Sequence, residues 1–575
     1  MSSETPEIPP PGGTNPAPVP TAAPSPGPAS LPQKRALEDD HIPAVSSPLN
    51  PDFTPRKSQI PEEAPVASRE KRTKKETLKK RESKAANTPG GADNSRATPD
   101  PRQTKKSRPN LPAAEISPAR YILPLPKASD FEPARGPQLA PHHEVAVPDG
   151  ESIEFFETQE HVYNKKQYYY THCIADPKFP SSFYYRQTEP EPFGAHMSFE
   201  DAATHLLFDK SGTHITTYKG WRMSRANFAI REGRWYWECK ITRGILREPP
   251  PPGSDQPESH GHVRIGFARR EAAVDAPAGF DAYSYGIRDK EGQKVHMSRP
   301  KDFFPPGEEL REGDVLGLEI NLPSEQIHRK VVIGHFNPAV DLLEEADNMT
   351  TEALNIVRDR LPIRFKAHIY FETPDYHTSP ELEDLMNPSP MSTSGSGVGQ
   401  SEGPNPTHRV PCLRTLPNSW IKAYKNGVEM GTAFTNLLAF LPQASKPATA
   451  KQPDARDGLD DGMLGYYPAV SVFRGGAAAV NFGPKFWYPP PGYEQQDQDN
   501  AADAVMTGTD EQPTITATQE PPRAMTERYD EQIVEDIVYD IVDEVDFWMQ
   551  DGAKVIDRTR RNEAVKEFKE VVQDV

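Results

Sequence analysis

Seven short apolar segments, separated by turn-forming residues, constrain the fold of this chain more than any other feature. They are rich in Val, Ile, Tyr, Phe and Trp, which favour the pleated backbone of a β-strand. In HVRIGFA, Val263 and Ile265 flank Arg264, so apolar and polar side chains take opposite faces. Helical periodicity is rare between the segments, which favours antiparallel sheets over alternating parallel strands and helices. The segments are WYWECKI (235–241), HVRIGFA (262–268), VLGLEINL (315–322), IRFKAHIYF (363–371), IKAYKNG (421–427), YPAVSVF (467–473) and AAVNFG (478–483).

The dipeptide Asn426-Gly427 predicts a hairpin within this series. Both central residues of a type I′ turn have positive φ, which Asn and Gly adopt more readily than other residues. We therefore predict an all-β fold, an antiparallel β-sandwich. Long low-complexity insertions interrupt it, and a fold tolerates them because the entropy of loop closure rises only slowly with length.

Composition excludes one compact fold for all 575 residues, since apolar residues make up only 35%. Residues 1–60 contain 15 prolines and cannot bury enough apolar surface to offset the entropy of ordering the backbone. Residues 69–108 hold 14 Lys and Arg against 5 Asp and Glu, in a chain of net charge −18. Such a basic segment is typical of a nuclear import signal or of a contact with nucleic-acid phosphates, and a solvated linker is the alternative. No apolar run suits a signal peptide or a membrane span, so we expect neither.

The composition changes along the chain predict five parts, of which one is the sandwich. They are a disordered Pro-rich and basic tail (1–140), a segment before the sandwich (141–192), the sandwich with insertions at 247–259, 373–410 and 443–462 (193–490), an acidic linker (491–524) and a C-terminal amphipathic region (525–575).

The segment DEQIVEDIVYDIVDEVD at 530–546 carries the clearest helical period. Its aliphatic residues form one stripe on a helical wheel, and acidic residues occupy the rest. β-Branched residues are mediocre helix formers and no basic residue supports the acidic side, so the isolated helix is expected to be marginal. We predict that a partner's apolar groove stabilises it, and docking on its own sandwich is the alternative. The stripe consists of Ile533, Val534, Ile537, Val538, Ile541, Val542 and Val545.

Catalytic chemistry finds no support in the sequence. There is no phosphate-binding loop of the P-loop type, no H-E-x-x-H motif and no Cys/His cluster with metal-ligand spacing. Cys173, Cys239 and Cys412 lie too far apart for a zinc module, and their number fits a reducing compartment. We therefore expect no enzymatic activity, no cofactor, no metal and no small-molecule substrate.

The strand series resembles, block by block, a SPRY domain of one subfamily, and the C-terminal segment resembles the docking helix found in the same subfamily. That subfamily is the SPRY subunit of COMPASS-type histone H3 lysine-4 methyltransferase complexes, the "absent, small or homeotic discs" family and its fungal counterparts. The matching blocks are GWRMSRANFAIREGRWYWE (220–238), HVRIGFA (262–268), PAGFDAYSYGIRDKEGQKVH (277–296), EGDVLGLEINLP (312–323), KAYKNGVEMGTAF (422–434) and YYPAVSVFRGGAAAVNFGPKFWYPP (466–490).

The resemblance implies a non-catalytic nuclear subunit. One face of the SPRY domain would grip an acidic segment of the WD-repeat subunit, and the pair would position the SET-domain methyltransferase. The C-terminal stripe would bind a dumpy-30-type dimer. The basic segment is in addition a candidate for contact with nucleosomal DNA. The gripping residues that the family implies are Trp221, Arg264, Pro277, Phe280 and Arg288, with Trp and Phe where the family is expected to carry tyrosines.

Two other functions remain open on the residues alone. A SPRY adaptor of a ubiquitin ligase or other scaffold would bind peptides and would have no dumpy-30-type partner. An RNA-associated SPRY protein is favoured only by the basic tail and not by the acidic remainder of the chain.

Overall fold

The computed structural model describes most of the chain from residue 126 to residue 545. The described residues are 126–147, 150, 152–159, 162–164, 168–175, 185–251, 257–344, 356–366, 368–387, 402–447, 459–493 and 521–545. The predicted Pro-rich tail up to residue 125, with the basic segment 69–108, and residues 546–575 lie outside them.

Antiparallel β-strands make up most of the described residues, and few helices accompany them. The strands are β1 (Gln138–Ala146), β2 (Ser152–Gln159), β3 (Tyr168–Ala175), β4 (Tyr185–Gln187), β5 (Met197–Ala202), β6 (Leu207–Phe208), β7 (His214–Thr216), β8 (Arg222–Ala226), β9 (Gly233–Arg243), β10 (His262–Ala268), β11 (Ser284–Arg288), β12 (Lys294–His296), β13 (Arg299–Lys301), β14 (Val315–Leu322), β15 (Leu361–Phe365), β16 (His368–Pro374), β17 (Tyr376–His377), β18 (Trp420–Lys425), β19 (Val428–Thr435), β20 (Lys446–Pro447), β21 (Tyr467–Phe473), β22 (Ala477–Asn481) and β23 (Arg523–Ala524). The helices are α1 (Glu325–Ile333), α2 (Asp341–Glu344), α3 (Pro380–Met386) and α4 (525–545), with 3₁₀ turns at Ala128–Phe131, Lys290–Gly292 and Pro411–Leu413.

Two large sheets enclose the main core. The first has the order β1-β2-β6-β7-β22-β9-β14-β18-β19, with β23 beside β9, and the second has the order β13-β12-β11-β10-β21-β8-β5. Trp237 of the first sheet and Phe267 of the second meet edge to face at 6.1 Å between ring centroids, and both are fully buried. Apart from the short parallel pair β23–β9, the sheets are antiparallel. The predicted all-β antiparallel fold is confirmed.

Most of the predicted strands form where the alternation of the sequence places them. HVRIGFA, VLGLEINL and YPAVSVF correspond to β10, β14 and β21 without any shift. IRFKAHIYF, predicted as one strand, is instead a hairpin of β15 and β16, and that prediction is wrong. The chain reverses at Lys366, which has a φ of 52°, so Arg364 pairs with Ile369 across the turn.

The hairpin predicted from Asn426-Gly427 is confirmed. β18 and β19 are antiparallel partners, and the two turn residues have φ of 49° and 81°. Asn426 also anchors the turn, because its side chain accepts a hydrogen bond from Val315 N at 2.8 Å.

A smaller sheet of order β15-β16-β3-β4 combines the segment before the sandwich with the chain after α2. Elements also occur in stretches where the sequence suggested none. The 3₁₀ turn Ala128–Phe131, inside the predicted tail, is held by an ion pair between Asp130 and Arg364. The predicted insertion 373–410 contains β17 and α3, and the predicted linker 491–524 contains β23. These stretches are ordered by contacts with residues distant in the sequence, and local composition does not reveal such contacts.

Candidate docking surfaces

Strands β10 and β11 place two arginines side by side on the second sheet. Arg264 and Arg288 are direct register partners, which brings their Cβ atoms to about 4.5–5.5 Å. The neighbours of Arg264 along its strand, Val263 and Ile265, are fully buried, so alternation directs Arg264 away from the core. Two like charges directly opposite each other are destabilising in a sheet, and an anionic ligand relieves this repulsion.

Arg264 is largely desolvated and incompletely hydrogen-bonded. Its guanidinium lies over the Trp221 ring, 5.0 Å from the centroid, and Nη1 donates to Ala278 O at 3.3 Å. Its Nε has no hydrogen-bond partner among the described residues. Burial, followed by the neighbouring charge of Arg288, lowers the pKa of Arg264 to about 10, so the group stays cationic near neutral pH. A buried N–H donor without a partner is costly, so a carboxylate here would be bound strongly.

Arg288 is held by weaker, exposed contacts. Its Nε donates to Lys290 O at 2.9 Å, and Nη2 forms an ion pair with Glu291 at 2.9 Å. The Glu291 side chain is 55% exposed, and such surface ion pairs contribute little. Arg288 can therefore exchange this partner for a ligand carboxylate at small cost.

Pro277 and Phe280 belong to a turn beside the two arginines. Phe280 N donates to Pro277 O at 3.0 Å, and Ala278 N donates to Ser471 Oγ at 2.8 Å, which fixes the backbone of the turn. Gly279 has a φ of 83°, and a Cβ there would lie 2.3 Å from Val295 O, so only glycine fits. Phe280 is 51% exposed, whereas Pro277 is buried and supports the turn. We call Trp221, Arg264, Pro277, Phe280 and Arg288 the arginine patch.

Two residues that the sequence reasoning missed extend the arginine patch. Phe473 at the end of β21 packs on Trp221 with ring centroids 5.2 Å apart. The exposed Arg474 lies over Phe473, 5.1 Å from the ring centroid. The four side chains thus form a row with a cation at each end and two rings between them, in the order Arg264, Trp221, Phe473 and Arg474. The signal that could have identified them is the pair Phe-Arg at the end of a strand that pairs with β10.

The C-terminal half of helix α4 packs on the domain through acidic residues. Asp536 and Asp540 are buried, and both bind arginines that precede β15: Arg358 donates to Asp536 at 2.6 Å and Arg360 to Asp540 at 2.7 Å. Near the start of the helix, Gln532 Oε1 accepts from Ala229 N at 2.8 Å. The predicted helix is present, and its polar side is the one that the domain covers.

The aliphatic stripe of α4 faces outward. Six of its seven members are between 48% and 60% exposed, and the seventh, Ile533, is half-buried against the main core. Isolated exposed apolar residues are common, but a contiguous exposed stripe usually marks an interaction site. We call it the aliphatic face: Ile533, Val534, Ile537, Val538, Ile541, Val542 and Val545.

The described residues contain neither a metal-binding cluster nor an exposed cysteine. The described residues contain no group of three or more His, Cys, Asp or Glu side chains suited to a metal ion. All three cysteines are buried, and burial raises the pKa of the Cys239 thiol, so it is poorly suited to act as a nucleophile. Within the part of the chain that the structure describes, no helix has the length and apolar character needed to cross a bilayer.

Known proteins resemble this chain over most of its length. A COMPASS component cclA of Colletotrichum higginsianum is 60% identical over 98% of this chain and 99% of its own length. The chain belongs to this family of COMPASS components. The Set1 complex component ash2 of Schizosaccharomyces pombe is 34% identical over 90% of the chain and 60% of its own length, and the COMPASS component BRE2 of Saccharomyces cerevisiae is 26% identical over 71% and 93%.

The family resemblance seen in the sequence blocks is thereby confirmed. A solved human SPRY domain, 11% identical, matches 49% of the chain and 98% of its own length with a TM-score of 0.23. No protein-family model matches the chain. The similarity to COMPASS components identifies the family of this chain, and the arginine patch and the aliphatic face are its candidate surfaces for binding partners.

Proposed function

We propose that this chain is a non-catalytic nuclear subunit of a COMPASS-type histone H3 lysine-4 methyltransferase complex. In this proposal the arginine patch binds an acidic segment of the WD-repeat subunit, and the aliphatic face binds a dumpy-30-type dimer. Membership of a family whose relatives are named as COMPASS and Set1 complex components supports the assignment to the complex. The WD-repeat and SET-domain subunits are then its partners.

The observation that carries the proposal is the arrangement of α4. Six aliphatic side chains stand about half-exposed on a helix whose opposite side buries Asp536, Asp540 and Asp543. A helix that leaves its apolar stripe in solvent gains from any partner that covers the stripe, and a second amphipathic helical pair provides matching grooves.

The arginine patch supplies the second contact. Among the described residues, the Nε donor of Arg264 has no hydrogen-bond partner, and Arg288 forms an ion pair with an exposed glutamate, Glu291. Both guanidinium groups can form bidentate hydrogen bonds with carboxylates, while Trp221 and Phe280 add flat apolar contact. An acidic segment with an aromatic or aliphatic residue fits this chemistry.

The decisive experiment measures histone H3 lysine-4 methylation by a reconstituted complex. We expect Arg264→Glu combined with Arg288→Glu to lower methylation at least ten-fold and to abolish capture of the WD-repeat subunit. Arg247→Glu combined with Lys210→Glu introduces the same charge change at exposed positions, 66% and 73% for the two side chains, and serves as the control. Unchanged methylation by the folded arginine variant would refute the grip, and capture of ubiquitin-ligase subunits instead would favour the adaptor function.

A further inference from the structure

The first turns of helix α4 bury Met525 and Tyr529 in the main core, but its C-terminal half, residues 534–545, packs in the reverse of the usual orientation of an amphipathic helix. Its acidic side chains Asp536, Asp540 and Asp543 are at most 9% exposed, while the aliphatic face remains in solvent. Amphipathic helices of globular proteins normally bury the apolar side. Some feature of the domain must therefore compensate the buried carboxylates and select this orientation.

Two arginines with largely buried side chains provide that compensation. Arg358 Nη2 lies 2.6 Å from Asp536 Oδ1, and Arg360 Nη2 lies 2.7 Å from Asp540 Oδ1 and 3.3 Å from Asp543 Oδ2. Arg358 is 5% exposed and also stacks on Tyr539 of the helix, 4.8 Å from the ring centroid.

Strand β4 completes the contact from the other side. Gln187 N donates to Asp540 Oδ2 at 3.0 Å, Gln187 Nε2 donates to Asp536 Oδ2 at 2.9 Å, and Arg186 Nη2 donates to Glu544 at 3.3 Å. These groups and the two arginines all belong to the small sheet β15-β16-β3-β4 or to the residues that lead into it. The small sheet therefore forms the platform on which the C-terminal half of the helix rests.

The energetics of buried ion pairs make these contacts selective. A complete buried pair contributes little net stability relative to apolar packing, but removing one partner leaves a buried charge without compensation, which is strongly unfavourable. If α4 rolled to place its aliphatic face on the platform, Arg358 and Arg360 would lose their carboxylates. Within the described residues, Nε and Nη1 of Arg358 have no hydrogen-bond partner, and the second ion-pair contact of Arg358, 3.7 Å from Nη1 to Asp540 Oδ1, is again with the helix.

We propose that Arg358 and Arg360 are positioning residues that hold the acidic side of α4 inward and thereby present the aliphatic face to its partner. This inference rests on the proposed function for the identity of that partner. It assigns a role to the small sheet, which lies outside the two large sheets: it orients the docking helix. Neither arginine needs to contact the partner.

The test reverses the charges of the platform in the full-length chain. For Arg358→Asp combined with Arg360→Asp we expect affinity for a purified dumpy-30-type dimer to fall at least ten-fold, although the aliphatic face is unaltered. Hydrogen exchange of the backbone amides in 531–545 should become at least ten-fold faster, a readout that requires no partner. Arg247→Asp combined with Lys210→Asp is the matched charge control and should change neither quantity.

A charge exchange separates a specific role from general damage. Adding Asp536→Arg and Asp540→Arg to the reversed platform restores oppositely charged pairs, so both affinity and exchange should return towards the wild-type values. Asp536→Asn combined with Asp540→Asn is a gentler second variant and should accelerate exchange on an intact fold. Wild-type exchange in the reversed-platform and Asn variants, or a charge exchange that rescues neither quantity, would overturn the inference.

The same measurements of affinity for the dimer, made on one more variant, distinguish this inference from the proposed function. Ile537→Asp combined with Ile541→Asp places charges on the aliphatic face and should abolish binding of the dimer. If this variant binds normally, the proposed partner is wrong, and the exchange measurements still decide the role of the arginines. If it fails to bind while the reversed platform binds as wild type, the proposed function stands and the positioning role falls.

Discussion

Shortening two side chains of the aliphatic face should weaken partner binding and leave the stability of the fold nearly unchanged. Val538 and Ile541 are 48% and 50% exposed, so about half of each side chain is available for burial by a partner. Full burial of such a side chain contributes about 1.5–3 kcal/mol, and half of it therefore about 1 kcal/mol. Val538→Ser combined with Ile541→Ser should cost about 2 kcal/mol of binding free energy, which corresponds to about a 30-fold rise in Kd.

Isothermal titration calorimetry with a purified dumpy-30-type dimer measures this change, and thermal unfolding monitors the fold. Serine has a helix propensity close to that of valine and isoleucine, so Tm should fall by less than about 4 °C. Val428→Ser makes the same chemical change at a 62% exposed position on β19, outside the helix, and should leave Kd unchanged. A wild-type Kd for the helix variant, or an equal loss for Val428→Ser, would refute the docking role of the aliphatic face.

Three further predictions concern pH, the close approach of β10 and β11, and the edge of the arginine patch. Burial raises the pKa of Glu189 from 4.5 to about 7. The fold therefore favours the protonated side chain, and this contribution to stability is complete below about pH 4.5 and is lost as pH rises through 7. In urea unfolding, the free energy of unfolding should decline less steeply with pH over that window for Glu189→Gln than for the wild type. Gly266→Ala should destabilise the fold by more than about 3 kcal/mol, because its Cβ would lie 1.8 Å from Tyr285 O, whereas Gly220→Ala, with open space around it, should be near neutral in the same unfolding assay. Arg474→Glu should weaken binding of an acidic peptide by about ten-fold without lowering Tm. If the variant binds the peptide as tightly as the wild type, the arginine patch does not extend to Arg474.

Local sequence was sufficient for much of the sandwich. Strict alternation in HVRIGFA placed Val263 and Ile265 inward and Arg264 outward, and the positive φ of Asn426 and Gly427 followed from their residue types. The prediction failed at Lys366, because a reversal within an apolar run depends on strand pairing and not on the residue types of the run. The ring–cation row to Arg474 was missed because β21 and β10 are neighbours only in the folded sheet.

For α4, the period of the sequence alone established that aliphatic and acidic residues lie on opposite sides of one helix. It did not establish which side the domain covers. That choice depends on Arg358, 178 positions away from Asp536 in sequence, and on Arg360, which together supply the buried cations that make a carboxylate side stable inside. A periodic pattern separates two faces, but the charges that meet each face are assembled only by the tertiary structure.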